Sequence, residues 1–280
     1  MKTIFIVLAT LLPALVQAQP GKGKILVIIS SENTLRLKDG KTFPTGYYLN
    51  ELTVPAKKLV EAGYELVFAN PKGNKPSMDI RSDDVHYFGD NQKEYQEIKS
   101  FHDHLDQLKA PLKLSAVLRS GLDQFQGVFV PGGHAPMIDL MASRELGTIL
   151  IFFHQKAKPT ALICHGPVAL AAATEDPRTY QKALEKGDVA NEKKAAGKWP
   201  YSGYRMTVFS TVEEKLASKS LGGDTLFFPE DILRTAGGQV EVGTEWKSNA
   251  IRDRELITGQ NPFSDSRLAE LFLEALNERK

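Results

Sequence analysis

Short apolar runs alternate with longer helical patterns along most of this chain, and this alternation most restricts the fold. Four of the runs are Lys24–Ser30, Glu65–Ala69, Gly127–Val130 and Thr160–Ile163. A continuous apolar run suits a strand that is covered on both faces. Strands that alternate with helices favour a parallel sheet. The sequence therefore predicts an α/β fold, a three-layer sandwich with helices on both faces of a mostly parallel sheet.

The other predicted elements complete this pattern. Helices are predicted at about Tyr47–Ala62, Glu94–Leu108, Leu146–Lys156 and Asp265–Leu276, and further strands at Tyr204–Phe209, Gln239–Val242 and Glu255–Thr258. Residues 175–200, rich in Lys and Glu, predict a helical insertion on the surface. Asn70–Tyr95 is a long polar stretch, and loops of this length are usually functional. Since no repeat or linker is evident, we expect residues 19–280 to form a single domain.

The first residues have the pattern of a secretory signal peptide. Lys2 is followed by the apolar run Ile4–Val16 and then by small residues. A cationic start, a short apolar core and small residues before the cut define such a signal. With Val16 and Ala18 before the cut, residues 1–18 are expected to be removed and the mature chain exported, to the periplasm or beyond. The alternative, a membrane anchor, needs about 20 apolar residues.

Composition excludes several classes of partner. A formal net charge of +1 gives no electrostatic footprint for nucleic acid. No later segment is long enough to span a bilayer, so we expect no membrane partner after cleavage. The chain has one cysteine, Cys164, and can form no internal disulfide. The oligomeric state stays open, with a homodimer among the alternatives.

Cys164 lies where the predicted strand Thr160–Ile163 runs into a tight turn and a small-residue helix. A nucleophile on such a strand-to-helix turn is pushed out of the sheet. The helix start supplies N–H groups and a positive dipole end, which lower the pKa of a thiol. The alternative is a small buried apolar residue. The turn favours the first interpretation, a reactive thiol.

A second turn follows the strand Gly127–Val130 and contains Gly132, Gly133 and His134. Both turns lie at carboxyl ends of predicted strands, where ligands bind in parallel sheets. Glycines let a backbone N–H approach a ligand closely. Together with the N–H of His165, this turn could form an oxyanion hole, with His134 beside the substrate. A plain turn is the alternative.

Three further side chains are candidates for proton transfer. His165 could act as the base for Cys164, oriented by Glu213 or Glu214. Both glutamates also match a helix capping box, so the choice stays open, with Glu214 slightly favoured. Glu51 lies at the start of the first predicted helix, at the same sheet end, where a carboxylic acid beside a thiol can act as general acid or base.

No metal and no cofactor are expected. Histidines occur at i and i+2 in His102 and His104, with ligand atoms of suitable type. Side chains two positions apart diverge on a helix, so one face cannot use both.

Three motifs resemble the DJ-one/PfpI superfamily, which has the class I glutamine amidotransferase-like, flavodoxin-like fold. They are Val130-Pro-Gly-Gly-His134, Ala161-Leu-Ile-Cys-His-Gly-Pro167 and Leu256-Ile-Thr-Gly-Gln-Asn-Pro262. The similarity extends over about Lys24–Leu276, and its heat-shock, glyoxalase III-type branch is the more similar one. Two features depart from that branch, namely the export signal and the long insertion.

The resemblance implies roles for the candidate residues. The family nucleophile falls on Cys164, its neighbouring histidine on His165, and the glutamate near the thiol on Glu51. The triad acid falls on Glu213 or Glu214. The oxyanion donors fall on Gly133 and His165.

The resemblance also implies an activity, and three hypotheses follow. The first is a cofactor-independent glyoxalase III-type lyase that converts methylglyoxal to lactate through a hemithioacetal on Cys164. The second keeps the nucleophile but hydrolyses amides or peptides, or removes glycation adducts. The third is a holding chaperone that needs no thiol. The expected partner is accordingly a small dicarbonyl or amide substrate.

Overall fold

The computed structural model describes residues 21–279, so the predicted signal segment lies outside the described residues. Eleven strands are present: β1 Lys24–Ile28, β2 Thr34–Arg36, β3 Thr42–Pro44, β4 Glu65–Asn70, β5 Leu112–Lys113, β6 Phe125–Val130, β7 Thr160–Ile163, β8 Arg205–Met206, β9 Gln239–Val240, β10 Ala250–Asp253 and β11 Leu256–Gly259. This count refers to those residues.

Ten α-helices and six short 3₁₀ helices belong to the same described part. The α-helices are α1 Leu49–Glu61, α2 Gln92–Asp103, α3 Asp106–Lys109, α4 Leu114–Ser120, α5 Arg144–Gln155, α6 Pro177–Lys186, α7 Val189–Ala196, α8 Thr211–Leu221, α9 Pro229–Thr235 and α10 Asp265–Asn277. The 3₁₀ helices are Ile80–Ser82, Val85–Phe88, Ala135–Met137, Leu140–Ala142, Gly166–Ala173 and Pro262–Ser264.

Seven strands form the central sheet, in the order β10-β11-β7-β6-β1-β4-β5. Every neighbouring pair is parallel except β10 with β11, which is antiparallel. β2 and β3 form a separate antiparallel hairpin, and β8 pairs in parallel with β9. The connections between parallel strands therefore pass over the faces of the sheet, as crossover connections require.

The side chains of β1 show how both faces are covered. Ile25 and Val27 pack into an apolar cluster with residues of α1 and α10. Leu26 and Ile28 point the other way, into a cluster with residues of α4 and α5. Because successive side chains of a strand face opposite sides, a continuous apolar run fills both layers. The predicted three-layer α/β fold is confirmed.

Three predicted elements differ in the structure. The strand expected at Tyr204–Phe209 is limited to β8, because the N–H of Thr207 donates to the side chain of Thr258 at 2.8 Å instead of continuing a ladder. The helix expected to continue to Leu108 is interrupted after Asp103. The helix expected after Cys164 is the 3₁₀ helix Gly166–Ala173, in which every residue is buried.

The strand order brings the predicted site together. β6 and β7 are neighbours and end at the same edge of the sheet, so the segments that follow them lie side by side. The strand β1 is the other neighbour of β6, and the helix α1, which follows β1 and the hairpin of β2 and β3, starts at that same edge. Among residues 21–279, no helix has the length and apolar character needed to cross a membrane.

Candidate active site

The backbone at Cys164 has a left-handed conformation with φ of +60°. It is held from both sides, because its N–H donates to the carbonyl of Gly259 at 2.8 Å and its carbonyl accepts from the N–H of Phe209 at 2.9 Å. A non-glycine residue in this conformation costs about 1–3 kcal/mol and persists where the surroundings impose it. The turn thus has the strained geometry of a nucleophile elbow.

The imidazole of His165 lies between the thiol and a carboxylate. Its Nδ1 is 3.3 Å from Cys164 Sγ, and its Nε2 is 2.6 Å from Glu214 Oε2. Since an ionised carboxylate only accepts hydrogen bonds, Nε2 carries the proton and Nδ1 keeps its lone pair toward sulfur. Burial lowers the pKa of His165 to about 4, so the ring is neutral near pH 7. It can therefore accept the proton of the thiol.

The two neighbouring glutamates of α8 have different hydrogen-bond partners. Glu214 is fully buried and accepts from His165, whereas Glu213 caps α8 through Ser210. Glu213 also accepts hydrogen bonds from the N–H of Trp246 and from the amides of Gln260 and Asn261. The alternative that the sequence left open therefore corresponds, in the structure, to Glu214 as the partner of the imidazole.

His134 is a second imidazole on the same carboxylate. Its Nε2 lies 3.1 Å from Glu214 Oε1, and its ring centroid is 4.1 Å from that of His165. Although burial opposes the charge of Glu214, donors from both rings hold its pKa well below the usual range. The Nδ1 of His134 is buried without a hydrogen-bond partner. The residue expected beside the substrate thus also contacts the carboxylate that holds His165.

Glu51 lies in the first turn of α1 and is completely buried against the nucleophile turn. Burial raises its pKa to about 8, against the opposing influence of Cys164 and of the N–H groups of Gly132 and Gly133. Neither carboxyl oxygen has a hydrogen-bond partner of standard geometry among the described residues. Near pH 7 the group therefore keeps its proton, and it can give that proton to a neighbour.

Gly132 and Gly133 are positions where a side chain cannot fit. A Cβ on Gly132 would collide with Glu51 Oε2 and lie 2.7 Å from the Cβ of Cys164. Gly133 has a φ of +80°, and a Cβ there would collide with the carbonyl of Gly46. The N–H of Gly133 lowers the pKa of the thiol, which places this donor beside the sulfur. The arrangement has the close backbone approach that an oxyanion hole requires.

One electrostatic expectation from the sequence is wrong. Burial raises the pKa of the Cys164 thiol well above its usual value, and the ionised forms of Glu51 and Glu213 act in the same direction. The residue is 3% exposed, so the loss of solvation outweighs the donors at the turn. The resting sulfur is therefore a thiol, and its reactivity depends on proton transfer to His165.

The thiol opens into a cavity of about 250 Å³. Beside the turn residues, its walls contain the polar side chains of Tyr48, Arg81 and Tyr87 and the apolar side chains of Phe209, Leu216 and Trp246. None of these six side chains belongs to a motif that the sequence marks as functional. The signal for two of them was the long polar stretch Asn70–Tyr95, which contains Arg81 and Tyr87.

One group of described residues has the composition of a metal site. His134, His165 and Glu214 each offer a ligand atom, and these atoms lie within 4.8 Å of one another. Two hydrogen bonds, of 3.1 and 2.6 Å, account for the proximity. His102 lies elsewhere, with its Nε2 2.8 Å from the hydroxyl of Tyr47.

The sequence of this chain is similar to those of known proteins. A family model described as ThiJ/PfpI family-like matches residues 44–209, more than half of the chain. The protein/nucleic acid deglycase HchA of Staphylococcus aureus is 26% identical over 264 residues, which cover 92% of this chain and 80% of that relative.

Two solved structures are similar over most of their length. Glyoxalase III from Candida albicans has a TM-score of 0.68 at 22% identity, covering 91% of this chain and 97% of that one. Rapid Encystment Protein 24 kDa from Francisella tularensis has a TM-score of 0.66 at 22% identity, covering 91% of this chain and 99% of that one. At this identity the likeness supports the fold alone.

Proposed function

This chain belongs to the ThiJ/PfpI-like family, and we propose that it is a cofactor-independent enzyme that converts methylglyoxal to lactate. The observation that carries the proposal is the pair of proton-transfer groups beside one sulfur. A neutral His165 faces Cys164 with a lone pair, and Glu51 holds a proton near neutral pH. Moving a proton between adjacent carbons uses an acid and a base together, and these two groups supply both.

In the first step the sulfur of Cys164 bonds to the aldehyde carbon of methylglyoxal. The thiol proton passes to Nδ1 of His165, and the carbonyl π electrons move to oxygen. The N–H groups of Gly133 and His165 are the proposed donors to that oxygen. Protonation of the oxygen gives a hemithioacetal, with the ketone still intact on the neighbouring carbon.

In the second step the hydrogen on the sulfur-bearing carbon leaves as a proton. An enediol forms and is reprotonated at the former ketone carbon, with Glu51 and His165 as the acid and base. The product is a thioester of lactate on Cys164. Water then attacks this thioester, the carbon–sulfur bond breaks, and the sulfur recovers its proton. The sum is methylglyoxal plus water giving lactate, so no cofactor is consumed.

Removal of glycation adducts is a second candidate, favoured by the relative whose name is protein/nucleic acid deglycase. An adduct of methylglyoxal with an amine or thiol would first release that group. The remaining steps on Cys164 would be the same. Amide or peptide hydrolysis and a holding-chaperone role stay predictions.

The decisive experiment compares lactate formation by the wild type and by Cys164→Ala. We expect the variant to lose turnover while its far-ultraviolet circular dichroism and unfolding transition stay close to those of the wild type. Arg254→Gln is the matched control, because Arg254 stacks on Tyr204 next to the amino end of β11. If Cys164→Ala still consumes methylglyoxal at the wild-type rate, the proposed function is wrong.

The Glu51→Gln variant separates the formation of the hemithioacetal from the proton transfer that follows it. An amide cannot give up a proton as a carboxylic acid does. Mass spectrometry should therefore still detect methylglyoxal bound to Cys164, while lactate formation is lost. Unchanged lactate formation would remove Glu51 from the mechanism.

A further inference from the structure

The cavity wall has one residue with a permanent charge. Among the described residues that line the cavity, Arg81 is the only one other than the two histidines that carries a formal charge at neutral pH, and His165 is neutral there. The acids Glu51 and Glu214 lie behind the lining residues and expose none of their surface. Glu51 is protonated near neutral pH, and two imidazoles donate to Glu214. An incoming ligand therefore meets a cation and no free anion.

Arg81 is held rigidly in this position. Its Nε and Nη2 donate to the two carboxylate oxygens of Asp79 at 2.9 and 2.6 Å, and its guanidinium lies 4.4 Å from the ring centroid of Phe43. Asp79 is itself anchored, since it accepts from Thr45 Oγ1 and caps the 3₁₀ helix Ile80–Ser82. A side chain fixed in this way loses little conformational entropy when it binds a ligand.

The hydrogen bonds to Asp79 leave other donors of Arg81 free for a ligand. Within residues 21–279, Nη1 of Arg81 makes no hydrogen bond, and the side chain is 24% exposed. The rings of Tyr48 and Tyr87 meet edge to face at 5.5 Å and line the same cavity. Because Asp79 balances the charge of Arg81 at long range, a preference for anions depends on direct hydrogen bonds at short range.

We propose that Arg81 binds a carboxylate of the substrate, so that the enzyme prefers carbonyl compounds that carry a carboxylate over neutral ones. A guanidinium fork matches the two oxygens of a carboxylate, and the phenols of Tyr48 and Tyr87 are further donors. The inference rests on the proposed function for the reaction, in which methylglyoxal is a neutral substrate, and adds a preference for oxoaldehydes that carry a carboxylate.

The test uses two alkylating probes of nearly the same shape. Iodoacetate and iodoacetamide both place a methylene carbon on the sulfur of Cys164 and release iodide, but only iodoacetate carries a charge. Since Cys164 is the only cysteine, the intact mass reports alkylation at that thiol. The quantity compared is the rate with iodoacetate divided by the rate with iodoacetamide.

We expect Arg81→Gln to lower this ratio by about fivefold or more, as loss of a charge-assisted hydrogen bond implies. Arg81→Lys, which keeps the charge but not the fork, should give an intermediate ratio. Arg254→Gln is the control, with a wild-type ratio. If Arg81→Gln slows both probes equally, Arg81 acts on the thiol and the inference is overturned. An unchanged pair of rates overturns it too.

Alkylation requires no turnover, so the two proposals can fail separately. A changed ratio in a chain that forms no lactate would remove the proposed function and keep the carboxylate site. Lactate formation together with an unchanged ratio in Arg81→Gln would keep the proposed function and remove the carboxylate site.

Discussion

His134 and His165 donate to opposite oxygens of one carboxylate, at 3.1 and 2.6 Å from Glu214. The two rings lie 4.1 Å apart, and both are buried. Ionised Glu214 accepts from both rings, so it fixes the tautomer of each. The lone pair on Nδ1 of His165, which faces Cys164, therefore depends on the charge of Glu214 at the opposite side of the ring.

We expect Glu214→Gln to lower the rate of lactate formation by about two to four orders of magnitude, because an amide permits the wrong tautomer of His165. Steady-state kinetics would measure the loss as a fall in kcat. Glu213→Gln should instead lower stability by about 1–3 kcal/mol, since an amide places an N–H group where Glu213 now accepts from Trp246, Gln260 and Asn261. If the two variants lost activity equally, the assignment of Glu214 would be wrong.

The free energy of unfolding of the wild type should fall as pH rises, because of Glu51. Its pKa is about 8 in the folded chain, against an ordinary value of 4.5. Below pH 4.5 both states hold the proton. Between the two values only the unfolded chain ionises, so the free energy of unfolding falls as pH rises and becomes constant above pH 8.

The Glu51→Gln variant removes this dependence. Its stability relative to the wild type should grow between pH 4.5 and 8 and reach about 5 kcal/mol. Urea unfolding at several pH values would measure the difference. A difference that does not change with pH would mean that Glu51 is ionised in the folded chain.

Gly132→Ala should destabilise the fold by about 1–3 kcal/mol and remove activity, because the new methyl group would overlap Glu51 and the Cys164 turn. Thermal unfolding and lactate formation measure the two effects. Gly21→Ala is the control, since its Cβ would meet only the carbonyl oxygen of Gly63, at 3.7 Å. Wild-type behaviour of Gly132→Ala would contradict the packing described.

We propose that residues 1–18 are removed during export, so the mature chain should begin at Gln19. Intact-mass measurement after expression with and without the first 18 residues would test this. Recovery of the uncleaved chain from the cytoplasm would argue against the signal peptide.

The fold was accessible from the sequence because its strands are short and continuously apolar. The run Ile25–Ile28 is completely buried and fills both layers, as expected for a parallel strand that is covered on both faces. The limits of β8 were not accessible, since they depend on the side chain of Thr258 from a distant strand. Local pattern contains no information about such a partner.

The features of the site also divide into those that local sequence predicts and those that depend on contacts distant in the chain. The elbow at Cys164 and the glycines at Gly132 and Gly133 follow from local turn chemistry. The choice of Glu214 over Glu213 depends on which face of α8 meets His165, and the raised pKa of the thiol depends on complete burial. Arg81 was missed because Asp79, which holds it, is itself anchored by Thr45 from a distant part of the chain.

The helices α6 and α7 lie in the chain between the nucleophile and Glu214, yet no residue of either lines the cavity. The insertion also closes on itself, since the N–H of Asp176 donates to the carbonyl of Ala195 at 3.0 Å. Its connecting Gly187 has open space around it. A reporter domain fused at this loop should therefore leave the chemistry intact.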